Sequence, residues 1–231
     1  MQRVFLINAL RTPIALRRGG LAKIRPEIFA ASVIRELLRR TNVSADDLDG
    51  VFAGNAVGTG GNIARLMSLL SGIPSSVPAV TIDMQCASAA ASISLAFAKI
   101  AAGQGDCYLA GGLESVSLQP ARTYAEGDPR REQLAATGGT YYTAELAPGD
   151  LRPDAMLWGA ERVMEQEHVT RAELDRYNIH GGALAYGHPY GASGAILAIQ
   201  LLAALREHSG LGLLSIAGAG GLGEAILVSC L

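Results

Sequence analysis

The first 115 residues alternate short apolar runs with stretches of helical spacing, and this alternation limits the fold more than any other feature. Short apolar runs bounded by turn signals predict buried strands. Such runs cover residues 3–9, 51–57, 80–83 and 107–110. Strands that alternate with helices predict a layered α/β domain with an at least partly parallel sheet.

Local signals place the helices between these strands. Pro26 opens a stretch whose apolar residues recur at helical spacing, and Ser44 is expected to cap a short helical turn. Asn62 is a plausible N-cap for a helix through about Leu70. Residues 86–102 are small and apolar with almost no polar face, which predicts a helix that is buried on all sides.

The second part of the chain is less regular. Residues 118–153 are polar and lack clean periodicity, which predicts a long excursion over the surface. Three segments have helical character, at 159–167, 171–177 and 195–206. Two apolar strands, at about 212–216 and 224–229, are joined by a glycine-rich turn and predict a hairpin.

Composition excludes several classes of protein. The net charge is -2 and no basic stripe stands out, so nothing points to nucleic acid; a solvated helix face explains the pairs Arg17-Arg18 and Arg39-Arg40. No apolar run is long enough to span a bilayer, and residues 1–13 lack the order of a signal peptide. Three widely spaced cysteines suggest neither a disulfide framework nor a zinc site. Together these features favour a cytoplasmic protein.

Cys86 is the candidate nucleophile, because it lies where a predicted strand ends and a long helix begins. Unpaired N–H groups at a helix N-terminus stabilise negative charge, so we expect a lowered thiol pKa there. The alternative is a small buried core residue, which most free cysteines are. For Cys107, inside a strand, the core role is favoured, and Cys230 has no activating context.

Two glycine-rich segments add candidates. In the segment 187–194, Pro189 fixes the backbone after His188, which could activate a thiol or donate to an oxyanion; the alternative is a turn histidine bonded to a carbonyl. In the segment 218–223, a glycine run between two strands favours a hairpin turn that offers N–H groups to an oxyanion over a phosphate site.

Taken together, these segments resemble the thiolase family, and the resemblance spans nearly the whole chain, most weakly over 118–154. The matching pieces, in the family's order, are Arg11-Thr12-Pro13 with Gly19-Gly20, Gly54-Asn55-Ala56-Val57, Cys86-Ala87-Ser88, Gly111-Gly112-Leu113-Glu114-Ser115, Asn178-Ile179-His180-Gly181-Gly182, the segment around His188 and Gly220-Gly221-Leu222-Gly223.

The resemblance implies two similar α/β halves stacked as helix, sheet, helix, sheet and helix layers, usually in homodimers or homotetramers. It divides the chain into an N-terminal half at 1–117, a loop excursion at 118–177 and a remnant of the C-terminal half at 178–231. By analogy Cys86 carries an acyl group from an acyl-CoA thioester, His188 activates the thiol, and backbone N–H groups at Cys86 and around Ala219 and Gly220 bind an oxyanion. Coenzyme A and acetyl-CoA are implied as substrates, with no bound cofactor and no metal.

The chain departs from the family at two places. Thiolases carry a second, acid/base cysteine before the closing glycines, where this chain has Ala217, or Ser215 if the match slides by two residues. Between Tyr177 and Asn178 a thiolase continues for a long stretch that holds much of the coenzyme A site, and the remaining second half has one helix and two strands. A natural deletion, an incomplete sequence and a module completed by a partner all explain this junction.

The leading hypothesis is an acyl-CoA acyltransferase of thiolase type that acts on a 3-ketoacyl-CoA or acetyl-CoA. One rival is a non-catalytic thiolase-like binding or assembly protein, motivated by the missing cysteine. A second rival is a ketoacyl synthase-like condensing enzyme, although the amino-acid sequence around His188 is more similar to that of thiolases.

Overall fold

A computed structural model describes residues 3–58, 61–142, 182–207 and 210–229, and Arg162, Glu165, Gln166 and His168. In chain order its elements are α1 Pro26–Thr41, β1 Gly50–Gly54, α2 Ile63–Leu70, β2 Ala79–Ile82, α3 Ser88–Ala101, β3 Tyr108–Gly112, β4 Arg122–Thr123, α4 Pro129–Gln133, β5 Thr140–Tyr141, α5 Gly182–Tyr186, α6 Ser193–Glu207, β6 Leu211–Gly218 and β7 Leu222–Ser229. Short 3₁₀ turns cover Ala45–Asp47, Val116–Leu118, Ala135–Thr137 and Tyr190–Ala192.

The predicted helix starts are confirmed. Pro26 is the first residue of α1, where its missing N–H leaves no partner unsatisfied. The side chain of Asn62 accepts a hydrogen bond from the backbone N–H of Arg65 at 3.1 Å and so caps α2. Ser44 accepts one from Asp46 N at 3.3 Å and caps the following 3₁₀ turn.

The first sheet has the strand order β2-β1-β3, and all three strands are parallel. Gly54 pairs with Ile82 on one side and with Gly112 on the other, so the three strands end together. The loops that follow them therefore meet at one edge of the sheet, the edge where open α/β sheets place their ligands.

Helices cover both faces of this sheet. The main core lies between β1 and the pair α1 and α2, and includes Val51, Ala53 and Met67. On the opposite face α3 packs against β1 and β3, α6 packs against α3, and the antiparallel β6–β7 hairpin packs against α3 and α6. The hairpin is confirmed, and the order helix, sheet, helix, sheet matches the first four of the five predicted layers among the described residues. Within the described residues, the second sheet has only the two hairpin strands.

Two predictions about burial are wrong. Residues 3–9 form no strand, and Phe5 and Ile7 are 60% and 64% exposed. Helix α3 is not buried on all sides, because the side chain of Phe97 is 49% exposed. Both wrong predictions concern the same side of the molecule. There β3 is the edge strand of the sheet, since β1 is its only neighbour among the described strands.

Other expectations have mixed outcomes. Arg17 and Arg18 lie in a turn rather than on a helix face, whereas Arg39 and Arg40 do end α1. Residues 118–142 form a surface excursion with two short strands, one α-helical turn and one 3₁₀ turn at Ala135–Thr137. The predicted helices at 159–167 and 171–177 lie largely outside the described residues. None of the described helices is both long and apolar enough to cross a membrane.

Candidate active site

Glycines let four segments meet at the carboxyl edge of the parallel sheet. A Cβ added to Gly54 would lie 2.4 Å from the backbone nitrogen of Ala89 and 2.5 Å from the carbonyl oxygen of Gly191. A Cβ on Gly112 would lie 2.6 Å from the same carbonyl. Any larger residue would separate β1 and β3 from α3 and from the loop that carries His188.

Cys86 lies in a tight turn between β2 and α3. Gln85 has a left-handed backbone with φ 52°, which is uncommon for a residue other than glycine. Ser88 braces the turn, because its hydroxyl accepts a hydrogen bond from Met84 N at 2.8 Å and donates one to the carbonyl of Gln85 at 2.5 Å. Backbone strain of this kind persists only where the surroundings impose it, and it fixes the direction of the Cys86 side chain.

The structure brings Cys86 and His188 together across 102 residues of sequence. The Sγ atom of Cys86 lies 3.0 Å from Nε2 of His188. The backbone N–H groups of Ala219 and of Cys86 itself lie close to this thiol and act to lower its pKa. One sulfur atom thus faces a titratable base and two fixed donors, an arrangement suited to a nucleophile and its oxyanion.

The expected direction of the thiol pKa is wrong. Burial raises the pKa of Cys86 above the ordinary thiol value, and this effect outweighs the two N–H donors, with a further increase from the carboxylate of Glu114. Burial also lowers the pKa of His188 below its ordinary value. The resting pair is therefore a neutral thiol beside a neutral imidazole, which can accept the thiol proton when the substrate is attacked.

Ser193 is a contact that sequence reasoning missed. Its buried hydroxyl lies 2.8 Å from Nδ1 of His188, on the side of the ring opposite Cys86. A partner at Nδ1 sets the orientation and the tautomer of an imidazole. Ser193 follows His188 by five residues in the same glycine-rich segment. This short separation is the sequence feature that could have predicted the contact.

Glu114 is the second residue without a predicted role. Its carboxylate is buried and accepts hydrogen bonds from the side chain of Asn55 at 2.9 Å and from three backbone N–H groups, those of Ala56, Val57 and Gly191, at 2.9, 3.2 and 3.1 Å. Burial raises the pKa of Glu114 despite these donors. The carboxylate ties the end of β1 to the loop that carries His188, so it helps to position that loop.

Comparisons with known proteins agree with this geometry. Residues 4–189 match the thiolase N-terminal domain, and residues 159–230 match the thiolase C-terminal domain. The chain belongs to the thiolase family. The predicted family and fold class are thereby confirmed.

Similar thiolases come from several organisms. The β-ketoadipyl-CoA thiolase of Pseudomonas knackmussii is 34% identical over 194 residues, which cover 80% of this chain and 48% of that protein. The steroid 3-ketoacyl-CoA thiolase of Mycobacterium tuberculosis is 34% identical over 184 residues, covering 78% and 44%. The chain thus spans about half the length of the curated thiolases it matches.

A solved thiolase has the same fold. The Acat5 thiolase of Ascaris suum, in a crystal structure with coenzyme A, superposes with a TM-score of 0.76 and 20% identity over 100% of each chain. At this identity the likeness concerns the fold.

The remaining predicted thiolase positions lie on the β6–β7 hairpin. Ala219 and Gly220 form its turn, where Gly220 has φ 82°. A Cβ on Gly218 would lie 2.9 Å from the carbonyl of Met84, so the hairpin rests directly on the Cys86 turn. Ala217 and Ser215 are exposed near the end of β6 and supply no thiol. Cys230 and the junction at Tyr177 and Asn178 lie outside the described residues.

Beside the site lies a cavity of about 1200 Å³. Its lining includes the loop at 187–189, the exposed N-terminal segment, Phe97 of α3, and parts of α1, α6 and β7. This volume exceeds that of most small-molecule sites, which hold roughly 300–1,000 Å³. No group of three or more His, Cys, Asp and Glu side chains in the described parts of the chain is arranged to hold a metal ion.

Proposed function

We propose that this chain is an acyl-CoA acyltransferase of thiolase type, in which Cys86 carries the acyl group and His188 is its general base. The single observation that supports this most strongly is the 3.0 Å contact between Cys86 Sγ and His188 Nε2 beside the N–H of Ala219. Thiolase relatives named for 3-ketoacyl-CoA and acetyl-CoA chemistry support a 3-ketoacyl-CoA or acetyl-CoA as the substrate.

In the proposed first step, Nε2 of His188 accepts the Cys86 proton while the sulfur attacks the thioester carbonyl. A hydrogen on Nδ1, donated to Ser193 Oγ, keeps Nε2 free to accept. The N–H groups of Cys86 and Ala219 stabilise the oxyanion that forms. The carbon–sulfur bond to coenzyme A then breaks, and the departing thiolate takes the proton from His188 to leave acyl-Cys86 and free coenzyme A.

The reverse of this step completes the transfer, because a coenzyme A thiol attacks acyl-Cys86. Making or breaking a carbon–carbon bond also requires a group that moves a proton at the α-carbon. The positions that match the family cysteine for that task, Ala217 or Ser215, carry no thiol, so we propose that acyl exchange between thiols is the reaction best supported in this chain. Thiolysis of 3-ketoacyl-CoA and formation of acetoacetyl-CoA depend on another proton carrier.

The test is the intact mass of the protein after incubation with acetyl-CoA. We expect one added acetyl group, located on Cys86 by peptide mapping and absent from Cys86→Ala. Cys107→Ala is the matched control and should still acquire the group. An acetyl group on another residue, or none, would contradict the assignment.

The replacement of the family cysteine by Ala217 favours a second candidate, a non-catalytic thiolase-like binding or assembly protein. It predicts binding of coenzyme A without an acyl adduct. A ketoacyl synthase-like enzyme would instead form the adduct and pass it to a carbanion. The domain boundaries at 117 and 177, a cytoplasmic location and a homodimeric or homotetrameric assembly remain proposals.

A further inference from the structure

The first 26 residues are strongly basic in an otherwise acidic chain. They contain Arg3, Arg11, Arg17, Arg18, Lys23 and Arg25, six of the chain's 19 Lys and Arg residues, and none of its 21 Asp and Glu residues. We call residues 3–25 the basic segment. All six of its cationic side chains belong to exposed residues. Such a concentration of one charge attracts anions from solution.

Most of these cations have no acidic partner in the described part of the chain. Arg25 forms an ion pair with Glu27 at 3.2 Å, but no ion pair is seen there for Arg3, Arg11 or Arg17. Arg39 and Arg40 are different, because both pair with Glu36 at 2.8 and 2.7 Å. The basic segment therefore offers cations that are available to a ligand, whereas the end of α1 is neutralised internally.

The basic segment lies beside the proposed active site. Arg3, Arg11 and Arg17 line the same cavity as the loop at 187–189. A Cβ on Gly187 would lie 3.9 Å from Cγ2 of Ile14, so the two segments are neighbours. The segment is also held at Arg18, whose backbone N–H donates to Ser117 Oγ at 2.9 Å.

The carboxylates in the cavity do not cancel this charge. Glu114 lines it, but its oxygens already accept four hydrogen bonds. Asp106 also lines it, but precedes β3 and so lies at the opposite end of that strand from the site. Arg206, near the end of α6, adds a further cation to the lining.

We infer that the basic segment binds the phosphate groups of the coenzyme A portion of the substrate, with Arg11 and Arg17 as the principal contacts. This inference rests on the proposed function, and it names where the nucleotide end of the thioester lies. A coenzyme A thioester carries its 3′-phosphate and pyrophosphate at one end and the reactive carbonyl at the other. Guanidinium groups are suited to phosphate because they donate paired hydrogen bonds.

The first experiment compares two thioesters as acetyl donors to Cys86, acetyl-CoA and S-acetyl-N-acetylcysteamine, which lacks the phosphates. In Arg11→Ala/Arg17→Ala we expect KM for acetyl-CoA to rise roughly tenfold, since each exposed contact contributes modestly. The preference for acetyl-CoA over the short thioester should fall by a similar factor. Arg39→Ala/Arg40→Ala, which removes the same charge elsewhere, should keep the parental preference, and Arg11→Lys/Arg17→Lys should recover part of it. Equal preferences in the two alanine pairs would overturn the inference.

The second experiment does not depend on catalysis. Adenosine 3′,5′-bisphosphate, which has phosphates but no thioester, is titrated into the parent protein and both alanine pairs by calorimetry. We expect Kd to rise roughly tenfold in Arg11→Ala/Arg17→Ala alone, and to rise with salt because exposed charges are screened over about 8 Å at physiological ionic strength. Absence of binding to the parent overturns the inference even if Cys86 is acetylated. Binding without acetylation of Cys86 would contradict the proposed function and leave the phosphate site standing.

Discussion

The two ends of the parallel sheet carry similar residues with different surroundings. At the carboxyl end, the buried carboxylate of Glu114 accepts backbone hydrogen bonds near Cys86; at the amino end, the exposed carboxylate of Asp49 accepts them from Asp106 and Cys107 at 2.7 and 3.0 Å. Burial raises the pKa of both cysteines. Only Cys86 also faces a histidine and the N–H of a second segment, so a half-buried cysteine beside a carboxylate is not by itself a nucleophile.

The largest expected difference concerns acyl transfer. Cys86→Ala should lower the rate of acetyl exchange between acetyl-CoA and labelled coenzyme A by roughly 10³-fold or more, because the covalent route is removed. Cys107→Ala should change that rate less than twofold. The measurement is isotope exchange at saturating acetyl-CoA. Comparable losses in the two variants would show that Cys86 is not distinguished from Cys107 as the acyl carrier.

The next difference concerns stability. Glu114→Ala leaves the N–H groups of Ala56, Val57 and Gly191 without their acceptor in a buried place, so we expect the free energy of unfolding to fall by about 3 kcal/mol or more. Asp49→Ala exposes two N–H groups that water can reach, and should cost about 1 kcal/mol or less. Urea unfolding of both variants tests this. Equal losses would mean that burial does not distinguish the two carboxylates.

Local sequence signals were sufficient for the frame of the site. Pro26, Ser44 and Asn62 act within a few residues of their own position, and the periods of the apolar runs gave the order of β1, α2, β2 and α3. The contact between Cys86 and His188 came from the family resemblance, since no local pattern links residues 102 positions apart.

What the sequence did not predict depends on three-dimensional surroundings. Glu114 gathers donors that are 57 to 77 residues away, and nothing in its neighbourhood announces them. The predicted lowering of the Cys86 pKa is wrong because burial raises it more than the nearby N–H groups lower it. A position at the start of a helix does not reveal how deeply the thiol is buried. The strand at 3–9 was wrong because apolar spacing does not say whether a neighbouring strand will accept it.

A smaller effect is a difference between the two cysteines in how their reaction rates depend on pH. Between pH 8 and pH 7 the alkylation of Cys107 should slow by about tenfold, because its raised pKa keeps the thiolate scarce below the ordinary thiol value of about 8.5. Acetylation of Cys86 should change less than twofold over this range, because neutral His188 takes the proton and its lowered pKa keeps it neutral between pH 7 and pH 8.

Rates are measured by iodoacetamide labelling of Cys86→Ala/Cys230→Ala and by acetyl-CoA labelling of Cys107→Ala/Cys230→Ala. His188→Ala is the control, and its Cys86 should acquire the steep pH dependence of Cys107. If Cys86 acetylation already falls tenfold per pH unit with His188 in place, His188 is not the base.

The smallest effect is the opposite pH dependence of the stability that the two carboxylates contribute. Hydrogen bonds lower the pKa of Asp49, so its stabilising contribution is present above the unfolded value of about 3.9 and is lost as pH falls through the folded pKa. Burial raises the pKa of Glu114, so its contribution is full below about 4.3 and is lost as pH rises through the folded pKa. Between about pH 3 and pH 6, the unfolding free energy of the parent minus that of Asp49→Asn should therefore rise with pH. The unfolding free energy of the parent minus that of Glu114→Gln should fall over the same range. Urea unfolding at unit pH steps measures both differences, and two differences of the same sign would show that hydrogen bonding, not burial, governs Glu114.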